Sequence, residues 1–288
     1  MVVLVTGASG QLGQSLQHIA NDYSNCNFLF VSSKELDITN QEKVNQFFEG
    51  NKIDFCINAA AYTAVDKAET ETEKAHAINV LGPKYLAIAC KKNKAKLIHI
   101  STDFVFDGTS TKPYLETDVV NPLGVYGATK LKGELEIMHN MSDYFIIRTS
   151  WVYSQFGNNF MKTMLRLASE RNSLNIVSDQ IGSPTNAVDL AKAIMVIVSH
   201  FQLPTSSFEP KFGIYNFSNE GTTSWYDFAK EIFRINNVSI IVNPIVTEAF
   251  PTPAKRPKYS VLDKSKIKNA FNIEIKSWKE ALQQTVTL

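Results

Sequence analysis

A tyrosine and a lysine four residues apart are the side chains of this sequence best suited to proton transfer. Tyr126 and Lys130 follow a glycine-containing turn, and their spacing puts them on one helix face, one turn apart. A phenol has a pKa of about 10, and a nearby ammonium group lowers that pKa toward the working pH. Tyr126 could then protonate a carbonyl oxygen as hydride reaches the carbonyl carbon. Thr102, at the end of an apolar strand, could hydrogen-bond the same oxygen.

The first thirteen residues predict a site that binds a dinucleotide. An apolar, β-branched run is followed by a turn with Gly7, Gly10 and Gly13, and then by a helical pattern. Backbone N–H groups and the helix dipole make such a helix start an anion site. Gly7 suits the tight turn, Gly10 lets a pyrophosphate approach, and Gly13 lets helix and strand pack closely. An ordinary turn is the alternative, but the position on the first strand of an alternating β-α pattern favours a dinucleotide.

The end of the second predicted strand bears on which nicotinamide cofactor is used. NAD-binding sheets carry an acidic residue there for the ribose hydroxyl, whereas this strand ends in Ser32-Ser33-Lys34. Hydroxyls and a cation would tolerate a 2′-phosphate, which favours NADPH; a solvated turn is the alternative. Asp37 or Thr39 would cap the next helix, and a place beside the adenine is the second interpretation of Asp37.

Two stretches that follow the third predicted strand also bear on the site. The stretch 58–63 ends the third strand in small residues that leave room for a ligand. A solvated face is predicted for Asp66, Lys67 and Glu69, before one long helix from about Glu73 to Lys92.

Three more residues stand near predicted strand ends or in loops. His99, inside the fourth strand, reads as a satisfied core or interface histidine. Trp151 fits either the core or a pocket wall. Arg256, in a proline-rich loop, could clamp a diphosphate or be solvated.

Composition and charge limit the class of protein. With 288 residues, 44% of them hydrophobic, the chain has ordinary globular composition and enough apolar material for a core. A net charge of +1 predicts no nucleic-acid partner, and no apolar run reaches the roughly 20 residues of a membrane span. A strand starting at residue 2 predicts no signal peptide. The scattered Cys26, Cys56 and Cys90 favour a reducing cytoplasm and no metal site.

Nine stretches along the chain together carry a family resemblance. They are GASGQLG (7–13), LDIT (36–39), NAAAYTAVDKAE (58–69), STDFVFDG (101–108), PLGVYGATKLKGE (122–134), RTSWVY (148–153), DQIGSPT (179–185), SWYDFA (224–229) and KRPKYSVLD (255–263). The glycine turn and the YxxxK pattern mark a superfamily, whereas AAAYTAVDKAE, STDFVFDG and DQIGSPT are more particular. With them the sequence resembles the dTDP-4-dehydrorhamnose reductase family, within the extended short-chain dehydrogenase/reductases.

The resemblance implies an activity and a set of site residues. The family reduces the 4-keto group of dTDP-4-dehydro-6-deoxy-L-mannose (dTDP-4-dehydro-β-L-rhamnose) to dTDP-β-L-rhamnose, the last step in making the rhamnose donor for surface polysaccharides. It uses NADPH and often NADH. The catalytic positions fall on Thr102, Tyr126 and Lys130. Cofactor positions fall on Gly7, Gly10, Gln11, Leu12, Asp37, Ile38, Ala61, Tyr62 and Thr63, together with Tyr126 and Lys130. Sugar-nucleotide positions fall on Thr102, Asp103 and Trp151, to which the loop residue Arg256 is added.

One departure from the family concerns a metal ion. Some members dimerise around magnesium held by glutamates in the first helix and just after the SPT loop. Ser15 and Val188 stand at those places, and neither is a good ligand for a hard cation. We therefore expect a monomer or homodimer without magnesium, whose mass and activity a chelator leaves unchanged.

The predicted fold is α/β: a Rossmann-type doubly wound parallel sheet with a smaller C-terminal α/β substrate-binding lobe. The NADP(H)-binding domain takes residues 1–150 plus about 185–220, and the sugar-nucleotide lobe takes 151–184 and 221–288. Three alternatives stay open: a sister reductase of another dTDP-4-keto-6-deoxysugar, a non-catalytic NADP-binding regulatory subunit like that of methionine adenosyltransferase, and an epimerase with tightly bound NAD. The intact Thr102, Tyr126 and Lys130 set favours an enzyme.

Overall fold

The computed structural model describes residues 1–201 and 211–286, in which strands and helices alternate from the start. The strands are β1 (Val2–Thr6), β2 (Asn27–Val31), β3 (Phe55–Asn58), β4 (Lys96–Thr102), β5 (Tyr144–Thr149), β6 (Val152–Tyr153), β7 (Ser173–Val177), β8 (Ile181–Gly182), β9 (Thr185–Asn186), β10 (Gly213–Asn216), β11 (Thr223–Ser224) and β12 (Ile241–Ile245). The helices are α1 (Gln11–Ile19), α2 (Gln41–Gly50), α3 (Val65–Ala68), α4 (Thr72–His76), α5 (Gly82–Asn93), α6 (Val125–Asn140), α7 (Phe160–Glu170), α8 (Ala187–His200), α9 (Trp225–Ile235), α10 (Ser265–Phe271) and α11 (Trp278–Val286).

Six parallel strands form the central sheet, in the order β2-β1-β3-β4-β5-β10. The chain winds in opposite directions from β1, so the crevice beyond the carboxyl ends of β1 and β3 is the switch point where such sheets bind ligands. The glycine turn follows β1 and the segment 58–63 follows β3, so the fold brings both to this crevice. The predicted doubly wound parallel sheet is confirmed.

Helices cover both faces of the sheet. Because side chains alternate along a strand, Val3 and Val5 of β1 pack on one face with Leu16 of α1, whereas Leu4 packs on the other with Leu86 of α5. Helices α1 and α8 contact each other on the first face, and α2, α5 and α6 do so on the second. Burial of these two apolar layers is the main force that holds the sheet in place.

A smaller cluster lies beside the carboxyl edge of the sheet. It joins the parallel pair β7 and β12 to α7, α9 and α11, with Phe228 and Trp278 in its core. Strand β10 and helix α8 return to the main sheet. Ile267 and Phe271 of α10 also pack against the main sheet, although the sequence places them in the substrate lobe. The domain boundaries stay a prediction, and residues 202–210 and 287–288 of the predicted ranges lie outside the described residues.

The long helix predicted from about Glu73 to Lys92 is confirmed in extent, but it is not a regular α-helix. Helix α4 ends at His76, a π-helical turn covers Ala77–Leu81, and α5 begins at Gly82. The turn carries Asn79, whose side chain holds the peptide of Tyr62 by two hydrogen bonds. Sequence periodicity does not reveal such a turn, because one extra residue leaves the apolar pattern almost intact. Among the described helices, none is both long and apolar enough to cross a bilayer.

Candidate active site

A cavity of about 660 Å³ opens at the carboxyl ends of the central strands. It collects most of the side chains that the sequence predicts for cofactor, catalysis and substrate. Its walls include Gly10, Gln11, Leu12, Ala61, Thr63, Thr102, Asp103, Tyr126, Lys130, Trp151 and Arg256. Residues from all over the chain therefore meet in one place.

The glycine turn is built for close approach of a ligand to the backbone. Gly7 has φ +68°, and a Cβ there would lie 2.6 Å from the Ala60 nitrogen. A Cβ on Gly13 would lie 2.4 Å from the Gly7 carbonyl oxygen, so only glycine lets α1 start so near the turn. Gly10 precedes α1 without any side-chain cap, which leaves the first N–H groups of the helix available to an anion. This cradle fits the diphosphate of a dinucleotide.

Four predicted cofactor residues are not among the residues that line the cavity: Gly7 in the glycine turn, and Asp37, Ile38 and Tyr62. Asp37 closes its own turn by accepting hydrogen bonds from the N–H and hydroxyl of Thr39, while Ile38 is buried in the core. The side chain of Tyr62 is also mostly buried. Helix α2 is capped by Asn40, so the prediction that Asp37 or Thr39 caps it is wrong. The cofactor roles of Asp37, Ile38 and Tyr62 stay predictions.

Glu69 and Asp66 each bind a residue from a distant part of the chain. This corrects the prediction that both belong to a solvated face. Glu69 Oε1 accepts a hydrogen bond from the Val125 N–H at 2.8 Å and so caps the helix that carries Tyr126 and Lys130. Asp66 holds Arg256 through two contacts, at 2.8 and 3.0 Å. The Arg256 guanidinium lowers the pKa of the Asp66 carboxyl. In each of these two pairs the residues are far apart in sequence, so no local sequence pattern predicts the contact.

Buried contacts with the central sheet also anchor helix α6. Glu134, one turn beyond Lys130, is buried and accepts hydrogen bonds from Arg148 Nε and Nη2 at 3.0 and 2.7 Å. The Ser101 hydroxyl donates to the same carboxylate at 2.5 Å. These contacts fix helix α6 to β4 and β5.

Tyr126 and Lys130 share one face of α6, as predicted, but the expected lowering of the Tyr126 pKa is absent. Burial raises the pKa of the Tyr126 phenol to about 12; the Thr102 hydroxyl opposes this and the Asp103 charge adds to it. The Lys130 Nζ donates to the Ile100 carbonyl at 2.6 Å and lies 3.2 Å from His99 Nε2. Burial lowers the pKa of Lys130 to about 8, against the opposing effect of Glu134.

His99 lies next to the candidate site, although the sequence analysis did not place it among the site residues. The ring is fully buried, as predicted for a core histidine, but it contacts Lys130 on one side and Asn58 on the other. Burial, and then the Lys130 charge, hold its pKa well below the usual range. Contacts between residues 58, 99 and 130 become visible only when the register of β3 and β4 is known.

Asp103 places a buried carboxyl beside the hydroxyls of Thr102 and Tyr126. The Thr102 hydroxyl donates to Oδ1 at 3.0 Å, and no described residue makes a well-formed hydrogen bond with Oδ2. Burial raises the pKa of Asp103 to about 6, although the Ser260 and Thr102 hydroxyls act in the opposite direction.

Trp151 forms part of the cavity wall and stacks on Trp225, with ring centroids 3.5 Å apart. Its backbone has φ +48°, a conformation that is unfavourable for a large residue. A second cavity, of about 740 Å³, is lined by residues of α7, β7 and the loop that carries Arg256. Phe160, Trp225 and Arg256 line both cavities, which makes them neighbouring parts of one site.

No cluster of three His, Cys, Asp or Glu suited to a metal ion occurs in the described part of the chain. Ser15 and Val188 are both buried, and the Ser15 hydroxyl donates to the Gln11 carbonyl. These two positions therefore offer no carboxylate to a cation.

Comparison with known proteins gives the site a family. Residues 1–288 match the model described as RmlD substrate binding domain. The dTDP-4-dehydrorhamnose reductase of Aggregatibacter actinomycetemcomitans is 43% identical over 98% of this chain and 97% of its own length. The crystal structure of a dTDP-4-dehydrorhamnose reductase from Clostridium acetobutylicum has a TM-score of 0.93 at 41% identity, covering 100% of this chain and 99% of that one. The enzyme from Bacillus anthracis in complex with NADP has a TM-score of 0.92 at 40% identity, covering 99% and 98%. The chain belongs to the dTDP-4-dehydrorhamnose reductase family.

Proposed function

We propose that this protein reduces the 4-keto group of dTDP-4-dehydro-6-deoxy-L-mannose with NADPH, yielding dTDP-β-L-rhamnose as the last step of its synthesis. One observation carries the proposal: Thr102, Tyr126 and Lys130 open into the same cavity as the glycine turn. The relative at 43% identity is named for this reaction, and a neighbour in the family binds NADP.

Each residue of the site has its own role in the proposed reaction. NADPH, when bound, supplies the hydride; the glycine turn, Gln11, Leu12, Ala61 and Thr63 would hold it. NADH is the second cofactor we expect, because Ser33 and Lys34 are exposed beyond β2 and do not select strictly. The Tyr126 phenol, which its raised pKa keeps protonated, gives its proton to the sugar oxygen. Thr102 donates to or orients the same oxygen, and Lys130 binds the nicotinamide ribose.

The two cavities suit the two halves of a sugar nucleotide. The sugar would lie beside Thr102, Asp103 and Trp151 in the first cavity. The nucleotide would extend into the second, with the Arg256 guanidinium between them binding the diphosphate. Asp66 holds that guanidinium from one side and so orients it in advance.

We also propose that the protein acts in the cytoplasm as a monomer or homodimer, without nucleic-acid or membrane partners. The nearly neutral sequence supports this proposal.

The test follows oxidation of NADPH with dTDP-4-dehydro-6-deoxyglucose as substrate, with and without the 3,5-epimerase that makes the L-sugar. We expect turnover only with the epimerase. Equal turnover without it would instead identify a sister reductase of a D-sugar. NADP(H) binding without turnover would indicate the regulatory-subunit alternative, and NAD carried through purification would indicate an epimerase.

A further inference from the structure

A row of buried polar side chains crosses three strands of the sheet and ends at Lys130. Thr6 on β1, Asn58 on β3 and His99 on β4 are direct neighbours in register, and each is almost completely buried. Asn58 Oδ1 accepts hydrogen bonds from the Thr6 hydroxyl at 2.8 Å and from the Ala60 N–H at 3.2 Å. Asn58 Nδ2 lies 3.0 Å from His99 Nδ1.

The Ala60 N–H fixes the orientation of the Asn58 amide. A backbone N–H only donates, so the amide atom that faces Ala60 must be the oxygen. The amide nitrogen then faces His99, and because it has no acceptor capacity, His99 Nδ1 must accept. A neutral imidazole with an accepting Nδ1 carries its proton on Nε2. Burial holds the pKa of His99 well below the usual range, so the ring carries only this one proton.

The proton on Nε2 points at Lys130. Nε2 and Nζ are 3.2 Å apart, and Nζ also donates to the Ile100 carbonyl. An ammonium group has three donors and no acceptor, so it would meet the His99 N–H donor to donor. A neutral amine keeps a lone pair that can accept this hydrogen bond. It can still donate to Ile100 and direct its second N–H into the cavity.

We propose that His99 is a positioning residue that favours the neutral amine form of Lys130, and that Asn58 holds His99 in the tautomer this requires. The proposal deepens the proposed function, because it rests on the role of Lys130 beside Tyr126. It makes the charge of Lys130 dependent on pH rather than permanent. After Tyr126 has protonated the sugar oxygen, solvent supplies the proton that restores the phenol.

The other charges around Lys130 act in both directions. Glu134, on the same helix, favours the ammonium, and Arg148 on β5 neutralises part of that effect by pairing with Glu134. Beyond β4 the cavity wall carries Asp103, and Tyr126 lies one helical turn away. Burial favours the amine, in the same direction as His99. The His99 N–H adds a hydrogen bond that only the neutral form can accept.

The first experiment observes the tautomer directly, in the protein without added substrate. Nitrogen-15 NMR of the imidazole rings distinguishes Nε2–H from Nδ1–H, and His99→Gln assigns the signal among the five histidines. We expect the Nε2–H tautomer at every pH between about 6 and 9, with no titration. An Nδ1–H tautomer, or a ring that titrates, would overturn the proposal. This readout does not depend on which sugar is reduced.

The second experiment reverses the tautomer with Asn58→Asp. The carboxylate accepts a hydrogen bond from Nδ1–H, Nε2 then offers a lone pair, and the Lys130 ammonium becomes the favoured form. We expect the Nδ1–H signal, together with an alkaline limb of kcat/KM moved up by about one pH unit or more. Thr6→Val is the matched control, because Ala60 still orients the amide; tautomer and alkaline limb should both stay in place. A flipped tautomer with an unmoved limb would refute the effect on Lys130. If Asn58→Asp does not fold, the alkaline limb of His99→Gln takes its place: loss of the Nε2–H should raise that limb, and an unmoved limb would refute the effect on Lys130.

Discussion

Burial shifts the ionisable side chains of the first cavity toward their neutral forms. It raises the pKa of Tyr126 to about 12 and of Asp103 to about 6, and lowers that of Lys130 to about 8. The pair was expected to work by Lys130 lowering the Tyr126 pKa. Burial instead keeps the phenol protonated. In the proposed reaction Tyr126 would keep its proton until the substrate oxygen becomes basic enough to take it.

Replacing the phenol tests this role. Tyr126→Phe should lower kcat by about 10²- to 10⁴-fold, the usual loss when a positioned acid is removed. NADPH binding, measured by fluorescence titration, should change little, because the ring and its edge-to-face contact with Phe104 remain. Near-normal turnover in Tyr126→Phe would remove Tyr126 from the acid role.

Asp103 gives a pH-dependent prediction for stability. Its folded pKa of about 6 lies above the ordinary 3.8, so the folded state holds the proton more tightly than the unfolded state. The stability from this group is fully present below about pH 4 and is lost as pH rises through about 6. Asp103→Asn removes that loss. Urea unfolding should therefore show the variant gaining on wild type between pH 4 and 6, by up to about 3 kcal/mol.

Asp107 is the control with the opposite sign. Hydrogen bonds from the Thr109 hydroxyl and backbone N–H lower the pKa of the Asp107 carboxyl to about 2. Its contribution to stability is present above about pH 4 and is lost as pH falls through about 2, so Asp107→Asn should be less stable than wild type at neutral pH. If both variants responded to pH in the same direction, burial of Asp103 would not be the cause.

At the scale of elements, helix α6 is held at three places. Glu69 caps its first turn, the Glu134–Arg148 pair fixes its middle to the sheet, and Gly133 packs where a Cβ would lie 2.1 Å from the Asn79 carbonyl oxygen. The π-helical turn brings Asn79 to this point and to the Tyr62 peptide. One set of contacts therefore positions both helix α6, which carries Tyr126 and Lys130, and the segment after β3.

The buried ion pair should matter far more than a surface pair. Glu134→Gln leaves the Arg148 guanidinium without a charged partner at 3% exposure, and such a loss costs about 3–5 kcal/mol. Glu170→Gln breaks the exposed pair with Arg166, which should cost about 0–1 kcal/mol. Chemical denaturation of both variants makes the comparison. Equal losses would show that the Glu134 pair does not anchor α6.

On the scale of the whole molecule, Arg256 connects the two cavities and is tied to Asp66, 190 residues away in the chain. Arg256→Lys keeps the charge but loses the bidentate geometry. Because charge-assisted hydrogen bonds are worth about 1.5–3 kcal/mol, KM for the dTDP-sugar should rise by roughly 10- to 100-fold, with NADPH affinity unchanged. Arg166→Lys, on the surface of α7, should change neither constant. An unchanged KM in Arg256→Lys would exclude Arg256 from substrate binding.

Local sequence patterns predicted the parts of this molecule that depend on local physics. The glycine turn, the apolar strands and the shared helix face of Tyr126 and Lys130 all follow from spacing. The π-helical turn at Asn79 was missed because it hardly alters the apolar period. The roles of Glu69, Asp66 and His99 were missed for another reason. Each depends on a partner from a distant segment, and only the register of the strands and the packing of the lobe bring those partners together.

The stacked tryptophans restrict how this sequence can change. A Cβ at Gly182 would lie 2.6 Å from Trp151 Cε2, and Trp151 already occupies a strained backbone conformation. A side chain at position 182 is therefore compatible only with a smaller residue at position 151. The two positions are epistatic: a substitution at Gly182 that is damaging by itself becomes tolerable once Trp151 has been shortened, so the order in which such mutations arise decides whether a lineage can pass through them.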